Sequence, residues 1–118
     1  SHHHLLISGR VHISYLPGED GKVIGLSKLN RIVDHFSKRG AIQEQLTEAI
    51  HNAVDVVCEK NIGVAVCIVA DHACVSCRGV GHQGSAMITT KLSGNYEKIE
   101  VRSEFFKSIE LASLKKNY

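Results

Sequence analysis

Two short stretches hold most of the side chains in this chain that can do chemistry. The first is SHHHLLISG, in which His2, His3 and His4 stand side by side; the second is DHACVSCRG, which gathers His72, Cys74, Cys77 and Arg78. Imidazole and thiolate are donors that zinc prefers, and a zinc ion that activates water needs three protein ligands and an open position. Here one His group and one Cys group come from distant segments, so spacing alone only suggests such a site, and an oligohistidine start is also what an affinity tag leaves. Cys74 and Cys77 have the C-x-x-C spacing of a redox pair too, but they do not open a helix behind a strand as a thioredoxin-like motif does.

Two further groups sit at the starts of expected helices. Ser27, Lys28 and Arg31 share one helix N-terminus, where unpaired backbone N–H groups and the macrodipole favour an anion, so they read either as a phosphate cradle or as solvated charges on a capped surface helix. Gln43 and Glu44 begin the next helix, and by themselves are ordinary first-turn residues.

These residues need elements to hold them. Arg10 to Tyr15 alternates, with Val11, Ile13 and Tyr15 on one face, as a half-buried strand does. PGEDG turns the chain, and Gly21 to Leu26 is expected as a second strand closing a hairpin. Ser27 is expected to cap an amphipathic helix carrying Leu29, Ile32, Val33 and Phe36, with Lys38 and Arg39 in its last turn and Gly40 as its stop. A second helix carries Ile42, Leu46, Ile50, Val54 and Val57 on one stripe, with Glu44, Thr47, Glu48 and Asn52 off it, and is expected to reach about Lys60. The β-branched run GVAVCIVA reads as a strand covered on both faces. Polar residues 71–85 lead to a strand around Met87 to Leu92, and Val101 to Leu111 reads as a last helix before a fraying LKKNY end.

At 118 residues, 43% hydrophobic and 22% charged, the sequence suits one domain over 1–118. With three Tyr, three Phe and no Trp, such a chain gains from oligomerisation. A formal charge of +2 with dispersed basic residues argues against nucleic acid and membrane surfaces as partners. The longest apolar run, Val64 to Ala70, is far below the ~20 residues of a membrane span, and no signal-peptide pattern stands out, so a cytoplasmic location is expected. Of four cysteines, Cys58 on the second helix and Cys67 in the apolar strand are expected as small buried thiols rather than disulfide partners.

In combination, GKVIGLSKLNRIVDHFSKRGAIQEQLTEAI and DHACVSCRGV resemble GTP cyclohydrolase I, whose segments GLSKxxRIV, QERLT and HxCMxxRGV they match. The likeness runs from the histidines to RSEFF in the last helix and covers that family's catalytic core without its N-terminal helices. It implies an α+β tunnelling fold, ββααββ with an antiparallel sheet, helices packed on one face and a C-terminal helix. It also implies a homodecamer of two pentameric rings with active sites between subunits. The activity implied is zinc-dependent conversion of GTP and water into 7,8-dihydroneopterin triphosphate and formate, the first step of folate and tetrahydropterin synthesis.

The resemblance carries roles by position. Cys74 matches a zinc ligand, His72 a proton donor and acceptor near the guanine, and Arg78 a triphosphate contact. Gln43 and Glu44 match the pair that holds the guanine edge, and Ser27, Lys28 and Arg31 match triphosphate contacts. The opening histidines match the family's C-x-H-H. Without a deletion the pair is His2, for proton transfer, and His3, for zinc, with a Cys ahead of Ser1; with one residue lost it is His3 and His4, and Ser1 stands at the Cys position. A one-residue deletion beside a strand turns the upstream side chains to the other face, which favours His2 and His3. Either register leaves the chain one thiolate short of the family's ligand set, with His4 or Cys77 as a spare donor, and Gln45 stands where the family usually has Arg. A chain that kept the nucleotide cradle without a complete zinc site would instead be a non-catalytic binding or assembly module. A pterin synthase of the same fold is a third reading, opposed by GLSKLNR and QEQLT.

Overall fold

The computed structural model describes residues 7–38, 42–72 and 87–116. Its elements are β1 (Ile7–Pro17), α1 (Leu26–Ser37), α2 (Gln43–Val57), β2 (Asn61–His72), β3 (Met87–Gly94), a 3-10 turn (Asn95–Glu97) and α3 (Ile99–Lys116). The strands form an antiparallel sheet in the order β1-β2-β3, with β2 in the centre. The α+β class, the antiparallel sheet and the C-terminal helix are as expected and agree with the tunnelling fold.

Both faces of β2 are covered, as its uninterrupted apolar sequence requires. Side chains alternate along a strand, so Val64, Val66, Ile68 and Ala70 point one way and Ala65 and Cys67 the other. The first set packs with Ile50 and Val54 of α2, Cys58 just past its end, the inward residues of β1 (Val11, Ile13, Tyr15), and Leu29, Ile32, Val33 and Phe36 of α1. The second set packs against Tyr96 and Phe105, with Val101 and Ile109 of α3 beside them. Helices α1 and α2 therefore share one face, while α3 lies on the opposite one. Ile50 is 0% exposed, so truncating it to Ala costs about 2–5 kcal/mol.

The expected second strand is not present: residues 21–25 pair with no strand, and α1 already begins at Leu26. The turn after β1 is tied to the far end of α2 instead, with Gly18 N–H donating to Lys60 O (3.0 Å) and Lys22 N–H to Glu59 O (3.1 Å). Tyr15 then does the work of a partner strand at one residue, because its hydroxyl accepts from Ile24 N–H (2.8 Å) and donates to Ile24 O (3.1 Å). With both main-chain groups of Ile24 satisfied, no ladder is needed.

Three boundaries also differ. The N-cap of α1 is Gly25, with no side-chain capping bond, so Ser27 lies inside the first turn rather than at the cap. Helix α2 ends at Val57, short of Lys60, whose φ of 63° is incompatible with a continuing right-handed helix. Helix α3 starts at Ile99 and runs past Leu111 to Lys116. Arg39 and Gly40, expected at the end of α1, lie outside the described residues. At Gly94 (φ 62°) an added Cβ would meet Ile62 O at 2.3 Å, so only glycine fits where β3 turns into the 3-10 segment. No helix among the described residues is long and apolar enough to cross a membrane.

Candidate functional site

Strand register decides which chemistry-bearing segments can meet. Ile7 pairs with His72, and Ala70 with Met87. The histidine segment ends just before Ile7, and the His/Cys segment runs on from the end of β2, so the flanks of both arrive at one end of the sheet. His2, His3, His4, Cys74, Cys77 and Arg78 themselves lie outside the described residues, and His72 is described by its backbone place alone.

Helix α2 starts at this same end. Gln43 is buried at 6% exposure, and its carboxamide N–H2 faces Met87 O (3.0 Å), Ile68 O (3.2 Å) and Thr89 Oγ1 (3.2 Å). Its Oε1 is buried without a hydrogen-bond partner among the described residues. Glu44, next along the helix, is exposed. A groove of about 400 Å³ runs between α2 and β3, lined by Glu44, Thr47, Glu48, Thr89 and Lys91 among others. Lys91 Nζ stands 3.8 Å from Glu48 Oε2, both well exposed. Glu44 is then the groove carboxylate without an ion pair among the described residues, and it is open to a ligand that donates two hydrogen bonds.

Below the groove, α2 and β3 meet through polar rather than apolar side chains. Gln43, Thr47 and His51 of α2 are all buried. Thr47 Oγ1 lies 2.6 Å from Thr89 Oγ1 and donates to Gln43 O at 2.9 Å. His51 Nε2 lies 2.9 Å from Ser93 Oγ, and Nδ1 is 3.1 Å from Asn52 Oδ1. An amide oxygen only accepts, so Nδ1 carries a proton and donates it to Asn52. Sequence reasoning missed this seam and placed Thr47 off the buried stripe. Its signal is the i, i+4, i+8 spacing of Gln43, Thr47 and His51, matched by alternate polar residues Thr89, Lys91 and Ser93 on one strand face.

Ser27, Lys28 and Arg31 are all exposed on the first turns of α1. No acidic residue lies in the first turn, and neither Lys28 nor Arg31 is ion-paired among the described residues, so the N-terminus is left electropositive. It is not beside Glu44, however. The chain enters α1 from Ile24, held by Tyr15, whose strand partner is Val64, whereas α2 starts against Ile68 and Met87. Helix α1 must run its length toward the Gln43 end of the sheet before α2 can begin, roughly 18 Å for its 12 residues. Within one protomer the anion cradle and the groove therefore face different ends.

Among the described residues no group of three or more His, Cys, Asp or Glu could hold a metal. Cys58 and Cys67 are buried free thiols, and burial raises both pKa values, with Asp55 adding to the effect at Cys58. They are protonated packing groups, as their sequence positions suggested.

The sequence profile of GTP cyclohydrolase I matches residues 1–110. Among curated relatives, GTP cyclohydrolase 1 of Bartonella quintana is 47% identical over 108 residues, covering 92% of this chain and 51% of its own length. GTP cyclohydrolase 1 of Dehalococcoides mccartyi is 43% identical over 112 residues and that of Coxiella burnetii 47% over 109, each spanning 92% of this chain and 58% of the relative. The chain thus spans little more than half the length of the curated relatives it matches.

Proposed function

Because the chain belongs to the GTP cyclohydrolase I family, we propose that it acts as a single catalytic domain in the hydrolysis of GTP to 7,8-dihydroneopterin triphosphate and formate. The observation that carries this reading is the joint one: the family match spans residues 1–110, and the register Ile7 to His72 brings the flanks of the two donor-rich segments to the sheet end where α2 presents Glu44.

Glu44 accepts from the ring N–H and the 2-amino group of guanine, with Gln43 beside it. Lys28, Arg31 and Ser27 bind the triphosphate at the N-terminus of α1, joined by Arg78. His72 and His2 move protons, since imidazole is the side chain that can both give and take a proton around neutral pH. His3 and Cys74 offer one imidazole and one thiolate, the donor types that zinc accepts, and with a third ligand they would hold it. Zinc held there would supply a water of lowered pKa as nucleophile. The separation of cradle and groove within one protomer supports a site completed by a second copy of the chain, as oligomeric assembly in the family implies.

The test uses the intact protein. Metal content near one zinc per subunit, formate release from GTP and a fluorescent pterin after oxidation are expected together, and Cys74→Ala should lose the metal. GTP binding without formate release from the zinc-loaded protein would overturn the enzyme reading in favour of a non-catalytic nucleotide-binding module.

A further inference from the structure

We propose that Thr47 and Thr89 are positioning residues, which close a one-way ring of hydrogen bonds through Gln43 and thereby fix the direction in which Glu44 leaves α2. This deepens the proposed function and rests on it. The proton order in the ring follows from donor accounting. The Gln43 backbone carbonyl can only accept, so Thr47 O–H, 2.9 Å away, spends its proton there. The 2.6 Å contact between the two threonine hydroxyls must then carry the proton of Thr89 to Thr47 Oγ1. Thr89 Oγ1 in turn accepts from the Gln43 carboxamide N–H2 at 3.2 Å. The ring thus runs from the Gln43 side chain to Thr89, on to Thr47, and back to the Gln43 main chain, each hydroxyl donating once and accepting once.

Two features make this ring a positioning device. The carbonyl at which it closes belongs to the peptide unit that joins Gln43 to Glu44, so the ring holds the plane from which the Glu44 Cα emerges. Two of its three members are also out of water, Thr47 at 2% and Gln43 at 6% exposure, while Thr89 is half-buried beside the groove. Solvent does not replace the Thr47 hydroxyl there, and bonds in a chain at low dielectric reinforce one another. Through Thr89 the first turn of α2 is anchored to β3, while the two carboxamide N–H protons are shared among Thr89 Oγ1, Ile68 O and Met87 O on neighbouring strands. The Gln43 carboxamide nitrogen is therefore occupied inward, and of the pair it is Glu44 whose side chain is exposed to meet the substrate.

The experiment is a double-mutant cycle on the intact enzyme, with GTP turnover as readout. Thr47→Val and Thr89→Val should each raise KM for GTP about five- to ten-fold, the scale of one lost buried hydrogen bond, while Thr47→Ser and Thr89→Ser, which keep the hydroxyl, stay within about two-fold of the parent. In a Glu44→Gln background the same Val changes should alter KM by less than about two-fold, because residues that act as a unit are non-additive. Should a Val variant not fold, Thr→Ala at the same position removes the hydroxyl without replacing its bulk and serves the same comparison. Val variants with the parent KM, or the same factor of loss in both backgrounds, would overturn the ring's role while leaving the enzyme reading intact. A parent protein that never turns over GTP would overturn both.

Discussion

His12 is the described histidine with a pKa displaced from the ordinary value of 6.5: burial lowers it, and the neighbouring charge of Arg10 lowers it further. The unfolded chain takes up a proton as pH falls below about 6.5, while the folded chain resists doing so. The stability tied to His12 is thus complete above that value and drains away as pH falls through the lower folded-state value. Urea midpoints measured from pH 7.5 to 5 should decline in this window, and His12→Gln should flatten the decline; an unchanged slope would remove His12 as its cause. At this scale the sequence was legible where chemistry shows in residue type. Cys58 and Cys67 read as buried thiols from their apolar neighbours and are so. The inward turn of Gln43 was not legible, because nothing in QEQLT tells which carboxamide atom finds two strand carbonyls. Thr89 escaped notice for the same reason: its partners are 42 and 46 residues away in sequence and meet only once β3 lies beside α2.

Elements were legible wherever hydrophobic period and punctuation agreed. GVAVCIVA announced a doubly covered strand, and the stripe of Ile50 and Val54 announced the buried face of α2. The hairpin expectation failed because a side chain took a strand's role, which no alternation pattern records. Tyr15→Phe tests that account: it strips Ile24 of both its hydrogen bonds in a partly buried place and should cost about 1–3 kcal/mol, read as a fall in the denaturation midpoint without a change of slope. A loss below a few tenths of a kcal/mol would mean water serves Ile24 as well. The misplaced cap of α1 has a similar origin, since Gly25 adopts the extended cap geometry without a side chain to advertise it.

At the scale of the whole fold, the described residues form a sheet of three strands with α1 and α2 on one face and α3 on the other, and the Cα radius of gyration is 15.0 Å. A compact chain of this length would have about 13.5 Å. Apolar residues such as Val23, Leu26, Val56 and Ile88 are more than half exposed, a surface that suits an assembling subunit. If the site is completed by a second copy, Glu44→Lys protein and Lys28→Ala/Arg31→Ala protein, each inactive alone, should regain GTP turnover when dissociated and reassembled together. Mixtures that stay inactive, despite mixed assembly seen by mass, would place the whole site in one protomer.

The pairing of β1 with β2 also sets a timetable for biosynthesis. β1 leaves the ribosome with an apolar face and no partner, and the pairing Tyr15–Val64 cannot form until residues 16–64 have followed. At roughly 5–20 residues per second that interval lasts on the order of seconds. Through it the Val11, Ile13 and Tyr15 face is shielded only by whatever the nascent α1 and α2 can offer.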